Sequence, residues 1–406
     1  MERGVLSDLK IIELGHLISG PYCAKLLADL GAEVIKIEEP GVGDAARRRE
    51  PFLHDEAHPE KSGLFLYFNT NKLGVTLNLK SKTGKEIFRK LVKEADVLVE
   101  NNPPSLMEEW SLQYERLKEI NPRLIMTSIT PFGQSGPYRD YKATELISFH
   151  MGGLGYVTPG LVEDVDQYPP LKAGGPLADF CTGVTAAIAT MCAVFYREAT
   201  GLGQQVDVSE QEAVASFLRS SVCTYSFTKT VQRRVRQVPT PTGFERILPC
   251  SNGYVNMSPG QEEHWQRLLE MIGGPELVKD ERFKDAAARR EHGAELNPLV
   301  QEWTKQHTKE EIAWLAQEAG FPGAPINNMD DVVNWDHFAA RGFFAEINHP
   351  KAGKLRYPKG PYTFSETPWR AFGPAPLLGE HNEAVYCGRL GYTKEELVKL
   401  RETGAI

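Results

Sequence analysis

LKIIELGHLISGPYCAKLLADLGAEVIKIE, residues 9–38, decides the fold. It opens on a short apolar run, LKIIEL (9–14), and crosses a turn that carries Gly15 and Gly20. It continues as GPYCAKLLADLGA (20–32), whose apolar residues recur at helical spacing, and ends on a second apolar run, EVIKIE (33–38). Strand, helix and strand in one short segment form the unit that builds a parallel sheet with helices packed on it. The rhythm then repeats. KTGKEIFRKLVKEA (82–95) reads as helix, DVLVEN (96–101) as strand, LMEEWSLQYERLKEI (106–120) as helix and RLIMTSIT (123–130) as strand. The expected class is α/β, with a large Rossmann-like parallel-sheet domain. Ser105–Glu108, Ser209–Glu212, Thr308–Glu311 and Thr393–Glu396 have capping-box spacing and mark helix starts.

Beyond residue 205 the texture changes. SEQEAVASFLRSSVCTYSF (209–227) reads as a long helix, and the Pro/Thr stretch VPTPTG (238–243) as a linker. ILPCSNGYVNMSP (247–259) has the form of two strands about an Asn-Gly turn. Residues 262–320 are charged and helical, 346–364 read as a hairpin, and 377–400 return to helix. A smaller α+β domain inserted into the large one is the expected organisation.

Composition narrows the function classes. The 406 residues are 41% hydrophobic, enough for a full core, and the formal net charge is −8, which disfavours a nucleic-acid coat. The basic runs ARRRE (46–50) and QRRVRQ (232–237) are therefore read as solvated surface or as holders of a small anion. Six cysteines are scattered without a CxxC pair, which suits a reducing compartment. The opening MERGVLSDLK lacks the apolar core of a signal peptide, and no run of about 18 apolar residues suggests a membrane span. The expected location is cytoplasmic.

The turn ELGHLISGPY (13–22) sits where phosphate docks against helix N–H groups, but its spacing is not GxGxxG, so a dinucleotide site is disfavoured. His16 in that turn is read as a lining residue. There is neither a GxSxG elbow nor a Walker loop, and no metal site is expected. Glu145 and His150 share the stretch KATELISFHMGG without a pattern that assigns them a role. The sharpest residue is Asp179 in KAGGPLADFCTGVTAAIAT (172–190). An Asp before a helix-forming run is an N-cap. A carboxylate there is also favoured by the helix dipole, which predicts that it stays ionised, and the flanking Gly174, Gly175 and small residues predict close approach of a bulky substrate. Cap and carboxylate nucleophile are both open on these grounds.

Several separated stretches carry a resemblance. They are GHLISGPYCAKLLADLGAEVIKIEEPGVGD (15–44), NTNKLGVTLNLKSKTGKE (69–86), ADVLVENNPPSLMEEW (95–110), INPRLIMTSITPFGQSGPY (120–138), LADFCTGVTAA (177–187), REATGLGQQVDVS (197–209) and APLLGEHNEAV (375–385). Together they resemble the family III CoA-transferases, the group typified by formyl-CoA transferase and carnitine CoA-transferase. The resemblance implies that Asp179 attacks an acyl-CoA thioester, passing through an acyl-aspartyl anhydride and an aspartyl-CoA thioester. It implies a CoA cleft lined by His16, Leu17, Ile18, Asn71, Lys72, Asn101 and Lys142, and an acid pocket shaped by Glu145. It implies acyl-CoA and a carboxylic acid as substrates, with no tightly bound cofactor.

The sequence also departs from the family's pattern. Glu39 stands where an arginine reaches the CoA 3′-phosphate, and Glu109–Trp110 replace an Arg–Met pair. Arg47, Arg48 and Lys72 are the expected phosphate contacts instead. Phe149–His150 replace a Gln-Ala pair beside the acid pocket, and the formyl enzymes' glycine-rich loop has no counterpart. These changes argue against formate and oxalate. Trp110, Phe149, Tyr156 and Phe180 point to a larger, less polar acceptor. Two alternatives are weighed: an acyl-CoA racemase, whose histidine falls at Thr144, and a non-catalytic subunit of a heteromeric transferase. The resemblance further implies an interlocked-ring dimer, as a homodimer or a heteromer. In that architecture residues 1–205 form the large CoA-binding domain, 206–239 a linker helix, 240–325 the small domain, 326–349 a second linker, and 350–406 the return to the large domain.

Overall fold

The computed structural model describes residues 4–162, 164–236 and 244–406, which form two compact units. One comprises the chain up to Gly160, Pro170–Arg234 and Gly342–Ile406; the other comprises Leu161–Pro169 and Val235–Arg341. The stretch VPTPTG (238–243) lies outside the described residues.

The first unit is built on strands β1 (Lys10–Leu14), β2 (Glu33–Glu38), β3 (Lys72–Thr76), β4 (Val97–Glu100), β5 (Ile125–Thr130) and, beyond the short β6 (Leu161–Val162), β7 (Gln205–Ser209). They form one parallel sheet in the order β3-β2-β1-β4-β5-β7. Its helices are α1 (Ser19–Ala28), α2 (Gly63–Phe68), α3 (Lys82–Glu94), α4 (Pro104–Trp110), α5 (Tyr114–Ile120), α6 (Glu145–Met151), α7 (Leu177–Thr200), α8 (Glu210–Ala215) and α9 (Arg219–Thr228). Strands covered on both faces read as near-continuous apolar runs, as these do. Ile12, Leu14, Ile35 and Ile37 pack against Phe88, Leu91, Met107 and Leu117 on one face. Their alternates Ile11 and Val34 pack against Cys23 and Leu27 of α1 and Ala186 and Val194 of α7 on the other. Each fully buried side chain of this size contributes about 1.5–3 kcal/mol.

Three local differences from the sequence expectation have physical causes. The helix expected over 106–120 is two helices, because Ser111 closes α4 in the left-handed region (φ 57°) and Leu112 turns fully into the core. Pro104 at the first helical position starts α4, so Ser105 is not its cap. The small residues of α7 serve helix packing rather than substrate approach: a Cβ on Gly183 would lie 2.9 Å from Tyr22 Cδ1 and 3.0 Å from the Ser19 carbonyl of α1. Among the described residues α7 is the one helix long and apolar enough to cross a membrane. It packs on α1, β5, β7 and α8.

The second unit pairs β6 with β8 (Val235–Arg236) and holds a three-stranded antiparallel sheet of β9 (Ile247–Cys250), β10 (Gly253–Met257) and β11 (Gly323–Ile326). The hairpin about the Asn-Gly turn is present, with Cys250 opposite Gly253. Helices α10 (Glu262–Val278), α11 (Ala286–Glu291), α12 (Gly293–Thr304) and α13 (Lys309–Ala319) cover a core of Trp265, Leu268, Phe283, Leu296 and Ile312. Thr308 caps α13 through a full capping box. Residues 326–349 carry α14 (Met329–Asn334), α15 (Asp336–Ala340) and β12 (Phe344–His349). Within the first unit β12 pairs with β13 (Gly353–Pro358) as the expected hairpin. The tail is not one helix: a short π-type turn at Glu383–Cys387 precedes α16 (Lys394–Glu402), with Gly391 (φ 75°) between them. Residue 206, where a linker helix was expected to begin, lies within β7, which pairs with β5.

Candidate active site

In a doubly wound sheet, ligands bind beyond the carboxyl ends of the strands where the connections diverge, here between β1 and β4. The loop after β1 is locked there. Asn101, one residue past β4, accepts from the His16 N–H (2.7 Å) and donates to the His16 carbonyl (2.9 Å) and to Ser19 Oγ (3.2 Å). Leu17 adopts φ 61°, and its N–H donates to Asp44 Oδ1 (2.9 Å). Ile18 is buried ahead of α1. Burial pushes the His16 imidazole below its ordinary pKa, so it is neutral near pH 7.

Beneath this loop runs a buried chain of alternating charge. Lys36 Nζ contacts Glu13 (2.7 Å), Asp44 (2.8 Å) and the Gly15 carbonyl (2.9 Å). Lys72 Nζ contacts Glu13 (2.6 Å), the Pro21 carbonyl (2.8 Å) and Asn69 (3.0 Å). Burial is the largest single influence on Asp44 and opposes its charge, but Lys36, His16 and the Ala46 N–H together outweigh it and hold the carboxyl down at about 2. Burial lowers Lys72 to about 8 against the pull of Glu13. These contacts correct two of the expected phosphate ligands. Lys72 spends its donors inside this chain. Arg47 is buried, forks onto Glu38 (2.7 and 2.8 Å), and reaches Glu60 (2.6 Å) and the Pro376 carbonyl (3.0 Å) while lying over Phe65. Lys72 has no donor left for a phosphate, and Arg47 is buried with four of its five N–H groups engaged. Arg48 is exposed and donates to the Val42 carbonyl (2.6 Å). Asn71 (φ 65°) is likewise a tie, linking Asp29 to the backbone of Phe372 and Gly373.

Across the same rim, three elements bring carboxyls together at the start of α7. Asp179 lies in the first turn of α7 but does not cap it; Pro176 is the N-cap residue. The cap is supplied by Glu145, at the start of α6, whose Oε1 accepts from the Ala178 N–H (3.1 Å). The other oxygen of Glu145 pairs with Lys172 (3.1 Å). Glu210, first residue of α8, accepts from Ser148 Oγ (2.8 Å) and acts on Asp179 as a like charge. Burial first, then the like charges of Glu210 and Glu145, push the Asp179 carboxyl well above the ordinary range, with Lys172 opposing. Burial also raises Glu210, against its Ser148 donor. The expectation that the helix dipole keeps Asp179 ionised is therefore corrected: desolvation and two neighbouring carboxylates outweigh a terminal dipole.

The other expected pocket residues separate. Phe149 is fully buried in a small core with Ala178 and Val214, under α7 rather than open to a ligand. Trp110 belongs to the core on the opposite face of the sheet from α7. His150 is exposed with its ring edge-on to Phe149, Lys142 is exposed ahead of α6, and Tyr156 is exposed. Phe180 packs edge-on to Tyr22 (5.1 Å) beside Asp179. Glu210, Ser148, Ser19 and Lys172 escaped the sequence reading. The available signal was an acid placed directly after a strand of the parallel sheet, which puts it on the carboxyl rim.

Comparison with known proteins places the chain in one family. The model of CoA-transferase family III matches residues 6–382. The chain is 32% identical over 400 residues to the succinyl-CoA–D-citramalate CoA-transferase of Chloroflexus aurantiacus, covering 98% of this chain and 96% of that one. It is 32% identical over 424 residues to the formyl-CoA:oxalate CoA-transferase of Streptomyces coelicolor, covering both chains completely (100% each). The crystal structure of a CAIB/BAIF family protein from Brucella suis superposes with a TM-score of 0.84 at 31% identity, covering 95% of this chain and all (100%) of that one.

Proposed function

The chain belongs to CoA-transferase family III, and from that premise we propose that Asp179 is the nucleophile that carries CoA from an acyl-CoA donor to a free carboxylic acid. The observation that supports this most is the placement of Asp179. It is a carboxyl in the first turn of α7, relieved of capping by Glu145 and set on the carboxyl rim of the sheet beside the locked loop after β1. In this reading an Asp179 oxygen attacks the thioester carbonyl, forming an acyl-aspartyl anhydride and expelling CoA thiolate. The thiolate attacks the aspartyl carbonyl of the anhydride, releasing the donor acid and leaving an aspartyl-CoA thioester. The acceptor carboxylate reverses both steps. An anhydride is reactive enough for a thiolate, and water must be excluded throughout. The locked backbone of residues 15–18 is suited to hold the CoA thioester; the N–H groups of His16, Leu17 and Ala178 already have acceptors, so the oxyanion's donors lie elsewhere.

Succinyl-CoA is the donor to try first, since it is named for a relative at 32% identity. A larger acceptor than formate is supported by Phe180 and Tyr22 next to Asp179. Of the expected CoA contacts, exposed Lys142 and Arg48 remain as the cations able to reach a phosphate. An interlocked dimer is supported by side chains such as Phe195 (81% exposed) on α7 and Phe227 (88% exposed) on α9. A cytoplasmic setting is supported by six free cysteines. Intact-protein mass after incubation with succinyl-CoA, with hydroxylamine or borohydride trapping, tests the chemistry. An adduct at Asp179, absent in Asp179→Asn, is expected. A protein that turns over acyl-CoA with Asp179 never modified would refute it.

A further inference from the structure

We infer that Lys172 is a positioning residue for the transfer: its ammonium folds residues 172–175 into a fixed loop and fastens that loop to Glu145, so that the chain leading into Asp179 is held still. The inference rests on Asp179 being the nucleophile. An ammonium has three N–H groups, and three oxygens surround this one. Two are carbonyls of its own loop, Ala173 (3.2 Å) and Gly175. The third is Glu145 Oε2 at 3.1 Å. The other oxygen of Glu145 holds the Ala178 N–H, one residue before Asp179. Loop, α6 and the start of α7 are thus joined through one cation, which also lies 5.9 Å from the ring centroid of buried Phe149.

The loop shows why a fastening is needed. Gly175 has φ 73°, a conformation glycine adopts without steric cost, and its carbonyl turns back to Lys172. A Cβ added at Gly174 or Gly175 would meet nothing within 4 Å, so packing does not hold the backbone on that side. Upstream, the Leu171 N–H donates to the Thr158 carbonyl (3.0 Å); downstream, the Phe180 N–H donates to the Pro176 carbonyl (3.1 Å). Between these anchors, among the described residues, the backbone is tied by Lys172. The same contacts separate Lys172 from a substrate-binding cation. With its donors spent it has none to offer an incoming carboxylate, so it acts through the loop and through Glu145. A displacement of about 1 Å near reacting groups can cost about 10²-fold in rate, and a freed Gly-Gly backbone has room for one.

Single-turnover mass spectrometry with succinyl-CoA, quenched at successive times, tests this. The amplitude of the Asp179 adduct counts folded, competent sites, and its first-order rate constant reports their geometry. Lys172→Met keeps the aliphatic stem and removes the ties. Its amplitude should match wild type, its rate constant should fall by about 10–100-fold, and half-saturation by succinyl-CoA should stay within about twofold. Lys172→Arg, with donors for several oxygens, should recover much of the rate. Glu145→Gln keeps an oxygen for the Ala178 N–H, and combined with Lys172→Met it should cost no more than the larger single loss, since both cut one fastening. Additive losses would sever Lys172 from Glu145 and overturn the inference. A lower amplitude with a wild-type rate constant would overturn it too, as would a wild-type rate constant with a raised KM for the acceptor acid, which would make Lys172 a carboxylate-binding residue. Should Lys172→Met not fold, Lys172→Gln is read by the same two numbers. No Asp179 adduct in the wild type overturns the nucleophile reading beneath; a wild-type adduct whose rate Lys172→Met leaves unchanged overturns this inference alone.

Discussion

Two buried charge clusters lie at the same end of one sheet and are built on opposite plans. The cluster under the first loop alternates sign: Lys72, Glu13, Lys36 and Asp44 meet at 2.6–2.8 Å, and Asp44 also accepts two backbone N–H groups. The cluster at the start of α7 sets Asp179, Glu210 and Glu145 together against a single cation, Lys172. Desolvating charge is costly unless every charge finds its complement. The first cluster meets that condition and acts as scaffold. The second does not, and such imbalance in a partly open site is where reactive groups are kept.

The contrast can be broken or sharpened by four measurements. Asp179→Asn removes the proposed nucleophile and should cost activity on the order of 10⁴-fold or more, without loss of fold. Its melting temperature should match or exceed wild type, because the like-charge contact is relieved. A large drop in melting temperature would make Asp179 a scaffold residue after all. Asp44→Ala leaves Lys36 short of a partner and should cost about 3–5 kcal/mol in urea unfolding. A cost under about 1 kcal/mol would show that the alternating cluster is not a stabilising frame.

Stability against pH should run in opposite senses for the two clusters. Asp44 has a folded pKa held below its unfolded value, so its stabilisation is present above about pH 4 and is lost as pH falls toward about 2. The amount is about 2–3 kcal/mol, and an Asp44→Asn variant should lack that acid-side loss. Asp179 and Glu210 are raised. Their contribution is fully present below the ordinary carboxylate range and is lost as pH climbs through the raised values. Asp179→Asn should flatten that decline, and parallel slopes in both variants would erase the contrast. Smallest is Glu145→Ala, which removes the cap at Ala178 and should cost about 1 kcal/mol. The Asp179 adduct should survive it.

The sheet was legible in the sequence because its strands are short apolar runs at regular intervals. EVIKIE is β2 to the residue, and KTGKEIFRKLVKEA differs from α3 only at its final residue. Periodicity missed the break at Ser111, where a left-handed residue and a buried Leu112 override helical spacing. At the candidate site, local rules singled out Asp179 but not the carboxyls that raise its pKa, because Glu145 and Glu210 come from other elements. Glu210 was hidden by its neighbours, since the Ser209–Glu212 cap signal accounts for acids in that first turn; Ser209 does cap α8. Its contact with Ser148 joins residues 62 positions apart, which spacing cannot show. Lys72 and Arg47 were misplaced for a related reason: a cation in a sequence does not reveal whether its partner is a phosphate or a buried glutamate.

The cap on α7 comes from α6, 33 residues earlier in the chain. Were Asp179 itself the cap, esterifying it would unfasten the helix at each half-reaction, and the backbone would loosen when the intermediate most needs shielding. With the fastening delegated to Glu145, the carboxyl at Asp179 can be consumed and regenerated while the helix start stays anchored. Mechanical support and chemical turnover are divided between two side chains, so wear on one does not slacken the other.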